Sequence, residues 1–156
     1  MTPAELRTLR ESLSLNVKLC ATHARVSDRT WQYWERGRTK PPADVIAWIT
    51  GLDEMASRSA SEAVKIFRKA NAAGESGSPV VFLRYPSDEV LEEYNPEMKG
   101  LPASYHAAIV SRARLELWKE GVPSIIIYFE PDQYQEWLGD RKDTESMRAA
   151  WAAENA

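Results

Sequence analysis

Apolar positions recur at helical spacing through the first part of the chain. Leu6, Leu9 and Leu13, with Arg10 beside them, fall at the i, i+3, i+4 and i+7 positions of one helix face. Pro3 precedes this stripe, and proline is favoured in the first turn of a helix. The pattern therefore predicts a first helix that starts near Pro3.

Two more short helices follow. The sequence predicts a second helix that is capped by Ser14 or Asn16 and ends near His23. Ser27 has a side chain that suits an N-cap, and it predicts a third helix from Asp28 to Arg36. The result is three short helices within about forty residues, with a tight link between the second and the third.

The helical pattern resumes after a break. Gly37 is placed where a left-handed C-terminal residue belongs, and Pro41-Pro42 ends any helix there. Apolar positions at helical spacing then run from Asp44 to about Ala73. Gly51 and a capping box at Ser59–Glu62 favour a division of this stretch into two helices.

The second half mixes strand and helix patterns. Gly74 to Pro79 reads as a linker, and Val80 to Tyr85 and Ser124 to Phe129 read as strands, the second of them too apolar to lie exposed. A long helix is predicted from Ala103 to Glu120. Further helical turns are expected after Ser87, around Tyr134-Trp137-Leu138 and at Ser146–Trp151.

Composition is ordinary for a globular chain of 156 residues, with 44% hydrophobic and 28% charged residues. No apolar run reaches the length of a membrane span, and the N-terminus lacks the features of a secretory signal. The single cysteine, Cys20, cannot form an internal disulfide. We therefore expect a cytoplasmic protein with no membrane association.

Charge divides the chain into two parts. The net charge is −3, but residues 1–42 hold eight basic and four acidic side chains, whereas the remainder is acidic. A basic head on an acidic body is typical of a protein that meets a polyanion at one end. A solvated face without a ligand explains the charge equally well.

The segment from Arg25 to Pro42 carries the candidate chemistry. On a helix capped by Ser27, Trp31 and Trp34 share one face, while polar side chains occupy the other. Arginine can pair with guanine and glutamine with adenine in a DNA major groove. The candidate DNA-binding residues are Ser27, Asp28, Arg29, Gln32, Tyr33, Arg36, Arg38 and Lys40.

This segment, with Leu6-Arg7-x-Leu9-Arg10 before it, resembles the helix-turn-helix of the lambda-repressor-like (XRE/Cro) family. By position, the resemblance implies a structural ion pair between Arg10 and Glu35. Val17 replaces a glutamine that is usual in that family, and Ala24-Arg25 stands where a glycine often makes the turn.

The motif S-x-R-[ST]-W-Q-Y-W-E-x-G-R, here Ser27 to Arg38, is similar to that of anti-CRISPR-associated autorepressors and their bacterial relatives. A looser likeness extends to Gly121. The resemblance implies a homodimer, joined largely through its C-terminal part, that binds an inverted-repeat operator and represses its own operon, such as an anti-CRISPR operon. It implies base reading by Arg29, Gln32 and Tyr33. For some members it also implies binding to messenger RNA, which the sequence neither supports nor excludes.

Other functions have weaker support. Trp31 and Trp34 could stack on single-stranded nucleic acid, but their shared inward face favours core packing. His23, His106 and Cys20 have no zinc-site spacing, so no metal or cofactor is predicted. The chain contains no glycine-rich phosphate loop, no G-x-S-x-G and no H-E-x-x-H, which argues against an enzyme.

We therefore predict a mainly α protein with a small α+β C-terminal part. Residues 1–73 form a lambda-repressor-like helix-turn-helix DNA-binding domain, and residues 79–156 form a two-stranded α+β dimerisation domain. The predicted function is a sequence-specific transcriptional repressor that binds a pseudo-palindromic operator in double-stranded DNA as a homodimer. The alternative is a protein-interaction module, such as an antitoxin, that binds DNA only secondarily.

Overall fold

The computed structural model describes the backbone of residues 1–72 and 79–156, and their side chains apart from those of residues 70–72. Within these ranges the fold is mainly helical, with one two-stranded sheet, which confirms the predicted fold class. The described residues group into two compact units, Met1–Ser59 and Ala60–Ala156. The predicted linker lies outside the described residues except for Pro79.

The first unit contains three short helices, α1 (Pro3–Ser12), α2 (Val17–His23) and α3 (Asp28–Glu35), and the start of a long helix, α4 (Ala43–Ala72). Their starts follow the local sequence, because α1, α2 and α3 are each capped by the side chain of the preceding residue. The expected break in α4 was wrong. Gly51 lies inside the helix and leaves open space where a Cβ would be, so its cost is entropic and does not interrupt the hydrogen bonds.

Helix α3 packs against both α1 and α2. The core of this unit is apolar and includes side chains from all four helices, namely Leu6, Leu13, Leu15, Cys20, Ala21, Trp31, Trp34, Val45, Ile49, Leu52 and Ala56. The ring of His23, the last residue of α2, stacks on Trp48 of α4 with 3.9 Å between centroids. These contacts fix the orientation of α3 within the unit.

The second unit contains a parallel sheet of two strands, in which Val80 pairs with Ser124 and Arg84 with Tyr128. The elements after α4 are β1 (Val80–Arg84), α5 (Asp88–Tyr94), a 3-10 turn (Pro96–Met98), α6 (Ala103–Lys119), β2 (Ser124–Tyr128), α7 (Pro131–Leu138) and α8 (Glu145–Glu154). Parallel pairing requires a crossover, and α5, the 3-10 turn and α6 supply it.

An aromatic core fills one side of this unit. Phe129 is fully buried and lies 4.7–5.6 Å from the ring centroids of Tyr85, Tyr94, Tyr134 and Trp151. Such edge-on and tilted ring pairs stabilise a core beyond the area that they bury. Ile127 of β2 packs against the same cluster.

The opposite side of β2 differs from the expectation. The strand was predicted to be too apolar to lie exposed, but Tyr128 is 63% exposed and Ile126 is 40% exposed. Side chains alternate across a strand, so these two residues lie on the face opposite Ile127. The expectation that β2 would be buried was wrong because the apolar side chains on this face of the strand are left uncovered.

The ring of His106 gives the second unit a pH dependence. Burial and the nearby charge of Arg84 lower the pKa of His106 from 6.5 to about 4. The unfolded chain binds this proton more readily than the folded chain, so the stabilising effect is complete above about pH 6.5 and is lost as the pH falls toward 4. We expect the free energy of unfolding to drop by about 2 kcal/mol between about pH 7.5 and pH 5 from this residue.

Urea unfolding of the wild type and of His106→Gln at several pH values would measure the effect. The variant has no titrating ring, so its acid loss should be smaller than that of the wild type by about 2 kcal/mol. Parallel pH curves for the two proteins would show that the His106 proton is not linked to folding.

Candidate nucleic-acid interface

Helix α3 is held by its two tryptophans. Trp31 is fully buried and Trp34 nearly so, and their rings meet edge to face with 5.5 Å between centroids. Ser27 begins the helix, and its Oγ accepts a hydrogen bond from the Thr30 amide at 3.2 Å. The two rings therefore direct one face of α3 into the core and leave the other face outward.

A buried ion pair joins α1 to the end of α3. The Glu35 carboxylate accepts hydrogen bonds from Arg10 Nε at 2.6 Å and Arg10 Nη2 at 3.2 Å. It also accepts one from Trp31 Nε1 at 2.6 Å, and Arg10 Nη1 donates to the Leu15 carbonyl at 2.9 Å. The hydrogen bond to Glu35 raises the pKa of Arg10. The hydrogen bond from Trp31 was not predicted, although the i,i+4 spacing of Trp31 and Glu35 is a sequence signal for it.

The candidate DNA-binding side chains lie on the outward face of α3 and in the segment after it. Gln32 and Tyr33 are partly exposed. The others are exposed, namely Ser27, Asp28, Arg29, Arg36, Arg38 and Lys40. Asp28 occupies the first turn of α3, where a carboxylate complements the helix dipole. The Oγ atom of Ser27 caps the N-terminus of α3, so Ser27 helps to position this helix.

The loop after α3 turns the chain back over the helix. Gly37 adopts a φ of +71°, its amide donates to the Trp34 carbonyl at 3.1 Å, and the Arg38 amide donates to the Tyr33 carbonyl at 2.9 Å. This pair of hydrogen bonds is the Schellman motif, which needs a left-handed residue at the Gly37 position. The motif brings Arg38 back to Tyr33.

The ring of Tyr33 contacts two arginine side chains. The guanidinium carbons of Arg29 and Arg38 are each 5.2 Å from the centroid of the Tyr33 ring. Arg29 Nε also donates a hydrogen bond to Tyr33 Oη at 2.5 Å. The i,i+4 spacing of Arg29 and Tyr33 is the only sequence signal for this contact. The contact with Arg38 depends on the turn at Gly37 and has no simple sequence pattern.

The turn between α2 and α3 forms without glycine. Arg25 adopts a φ of +55°, and the Val26 amide donates to the Ala21 carbonyl at 2.9 Å. An arginine can occupy this left-handed region at a modest cost. The substitution at the usual glycine position therefore leaves the helix-turn-helix geometry intact.

The arrangement suits contact with a polyanion. In residues 1–72 and 79–156, Arg29 and Arg38 form no ion pair with a carboxylate, so their charges are not neutralised within this part of the chain. The terminal nitrogens of Arg29 make no hydrogen bond to a described residue and can donate in pairs to an acceptor such as guanine.

Other kinds of site find little support in the described part of the chain. It contains no group of three or more His, Cys, Asp or Glu side chains that could hold a metal ion. None of its helices has both the length and the apolarity of a membrane span.

Comparison with known proteins gives two matches. The sequence pattern of the Aca2/YdiL-like family matches residues 1–114. The Aca2 repressor of Pectobacterium phage ZF40 is 52% identical over 46 residues, which is 29% of this chain and 40% of that protein. The chain thus matches about two fifths of the length of this relative.

Proposed function

Since the chain belongs to the Aca2/YdiL-like family, we propose that it is a sequence-specific transcriptional repressor that binds an inverted-repeat operator as a homodimer and represses its own operon. The observation that carries the proposal is the outward face of α3. There, Arg29 and Gln32 stand on a helix whose other face is fixed by Trp31 and Trp34. The name of the phage relative, a repressor, agrees with it.

Each side chain has a distinct part in the proposed contact. Arg29 pairs with the O6 and N7 atoms of a guanine, and Gln32 pairs with the N6 and N7 atoms of an adenine. Arg36, Arg38 and Lys40 contact phosphates, which fixes the register of the protein on the duplex. Asp28, at the start of the helix, accepts a hydrogen bond from a cytosine N4 or orients Arg29.

A mobility-shift experiment tests the proposal. The probe is DNA from immediately upstream of the protein's own gene, with scrambled DNA of equal length as competitor. We expect binding that resists the competitor, and footprinting of the same complex should show a protected region with two half-sites about 10–10.5 bp apart, or a multiple of this spacing. Binding that the scrambled DNA displaces equally well would overturn the proposal.

The exposed face of the second unit supports the homodimer. Trp118 of α6 is 74% exposed, and with Leu115 it lines a groove that ends at Ser124. Ser124 lines this groove, and Ile126 and Tyr128 lie exposed on the same face of β2 as Ser124. Exposed apolar patches larger than a few hundred Å2 mark interaction sites, and a stable interface buries about 800 Å2 on each partner. We propose that this patch is the core of the contact with a second copy.

Replacing a central residue of this patch should separate the protomers. Trp118→Glu would place a charge where the proposed dimer covers an aromatic side chain. We expect it to weaken dimerisation by at least about 30-fold. Light scattering over a concentration series measures the change. The matched control is Glu136→Lys, an exposed charge change on α7, which packs on the other side of the sheet from Tyr128.

Two results would contradict the dimer surface. A Trp118→Glu protein that remains a dimer at the same concentrations would place the interface elsewhere. A wild-type protein that purifies as a stoichiometric complex with a different protein, and not with itself, would favour the interaction-module function over the repressor.

A further inference from the structure

We propose that Tyr33 is a positioning residue, which holds Arg29 and Arg38 in place for DNA and makes no base contact of its own. The proposal rests on the proposed function, because it assigns how the same helix recognises DNA. It differs from the role implied by family resemblance, in which Tyr33 is one of the residues that read bases.

The ring and the hydroxyl oxygen of Tyr33 both contact arginine side chains within the protein. Its ring lies 5.2 Å from each of the two guanidinium carbons, and its hydroxyl oxygen accepts a hydrogen bond from Arg29 Nε. An aromatic ring attracts a cation through its quadrupole. One ring can therefore hold two like charges near each other without neutralising either of them.

The hydrogen bonding of the Arg29 guanidinium group agrees with this positioning role. Tyr33 engages Arg29 through Nε, the nitrogen nearest the chain, and leaves the two terminal nitrogens for DNA. An arginine side chain loses rotamer entropy when it becomes ordered. Holding the side chain in the free protein lowers the cost of binding, since that ordering has already occurred.

The backbone contributes to the contact between Tyr33 and Arg38. The Arg38 amide donates to the Tyr33 carbonyl, so Arg38 is anchored to Tyr33 at the main chain as well as at the side chain. In a Schellman motif the residues at these two positions often make an apolar contact. Here a cation over a ring takes its place, which keeps a positive charge at the end of α3.

The first test examines the free protein. In NMR spectra of the full chain, the side-chain protons of Arg29 and Arg38 should show ring-current shifts. Tyr33→Leu should remove the shifts of both arginines, and Tyr33→Phe should keep those of Arg38 because the ring remains. Arginine shifts that do not change in Tyr33→Leu would overturn the proposal, whatever the protein does with DNA.

The second test is a double-mutant cycle on the upstream DNA. We expect Tyr33→Phe, which removes the hydrogen bond to Arg29, to weaken specific binding by roughly 3- to 10-fold in the wild-type background. In the Arg29→Ala background the same change should cost less than about twofold, because Tyr33 acts through Arg29. An equal loss in both backgrounds would mean that Tyr33 makes its own contact with DNA, and would overturn the proposal.

The salt dependence of DNA binding distinguishes the effect of Tyr33 on Arg38 from its effect on Arg29. Tyr33→Leu loosens Arg38 as well, so we expect a loss of roughly 5- to 30-fold and a reduction of the salt slope by about one, whereas Tyr33→Phe should leave the slope unchanged. Equal salt slopes for Tyr33→Leu and the wild type would contradict the hold on Arg38. If the wild type fails to distinguish upstream from scrambled DNA, the proposed function fails, and the NMR test alone decides the role of Tyr33.

Discussion

Glu35→Ala is expected to lower the free energy of unfolding of the first unit by about 3–5 kcal/mol. The side chain of Arg10 is only 10% exposed and that of Glu35 only 7%, so removing the carboxylate leaves a buried cation without its partner. It also leaves the indole N–H of Trp31 without the acceptor that it has now. Each of these losses costs more than the net value of the hydrogen bond itself.

Urea unfolding followed by tryptophan fluorescence measures this loss. The matched control is Arg7→Ala, which breaks the exposed i,i+4 pair between Arg7 and Glu11, leaves the partners of Arg10 in place and should cost less than about 1 kcal/mol. Similar losses in the two variants would show that the pair between Arg10 and Glu35 is no more important to the fold than a surface ion pair.

Arg29→Ala is expected to reduce affinity for the operator by about 1–3 kcal/mol for each half-site, or roughly 5- to 150-fold. The loss follows from the paired hydrogen bonds that a guanidinium makes to guanine, which an alanine cannot replace. A dimer carries the substitution in both protomers, so the loss of binding free energy occurs at each of the two half-sites. Mobility shifts against every base at the contacted position should show that the variant has lost its preference there.

Lys40→Ala is the matched control for this prediction. Lys40 is exposed in the segment after α3, and its proposed contact is with a phosphate. We expect the variant to weaken binding to all sequences alike and to lower the salt slope by about one. If the two variants change specific and scrambled DNA in the same proportion, the assignment of Arg29 to base reading is wrong.

Most of the fold could be predicted because local signals mark it. The starts of the first three helices were marked by Pro3, by a cap at Ser14 or Asn16, and by Ser27, and the side-chain oxygens of Asn16 and Ser27 do accept from free backbone amides. The two strands of the second unit are short apolar runs bounded by prolines, and they were placed within one residue of their ends. Such signals act over a few residues and can be read directly.

What could not be predicted depends on contacts between distant parts of the chain. Gly51 favours a helix break locally, but Ile49 before it and Leu52 after it are buried, and the packing of these side chains keeps α4 continuous. The exposure of Ile126 and Tyr128 depends on what covers one face of β2, which no local pattern states. The contact between Tyr33 and Arg38 requires the turn at Gly37, so it arises only once the chain has folded.

The buried thiol of Cys20 has a kinetic consequence. It is fully buried in the core of the first unit, and burial raises its pKa to about 12. Alkylating reagents attack the thiolate, so this side chain is inert while the core stays closed. Because the sequence contains no other cysteine, the rate at which the native protein takes up such a reagent records how often the core of the helix-turn-helix opens. A bound ligand that slows this uptake would reveal by how much it holds the core shut.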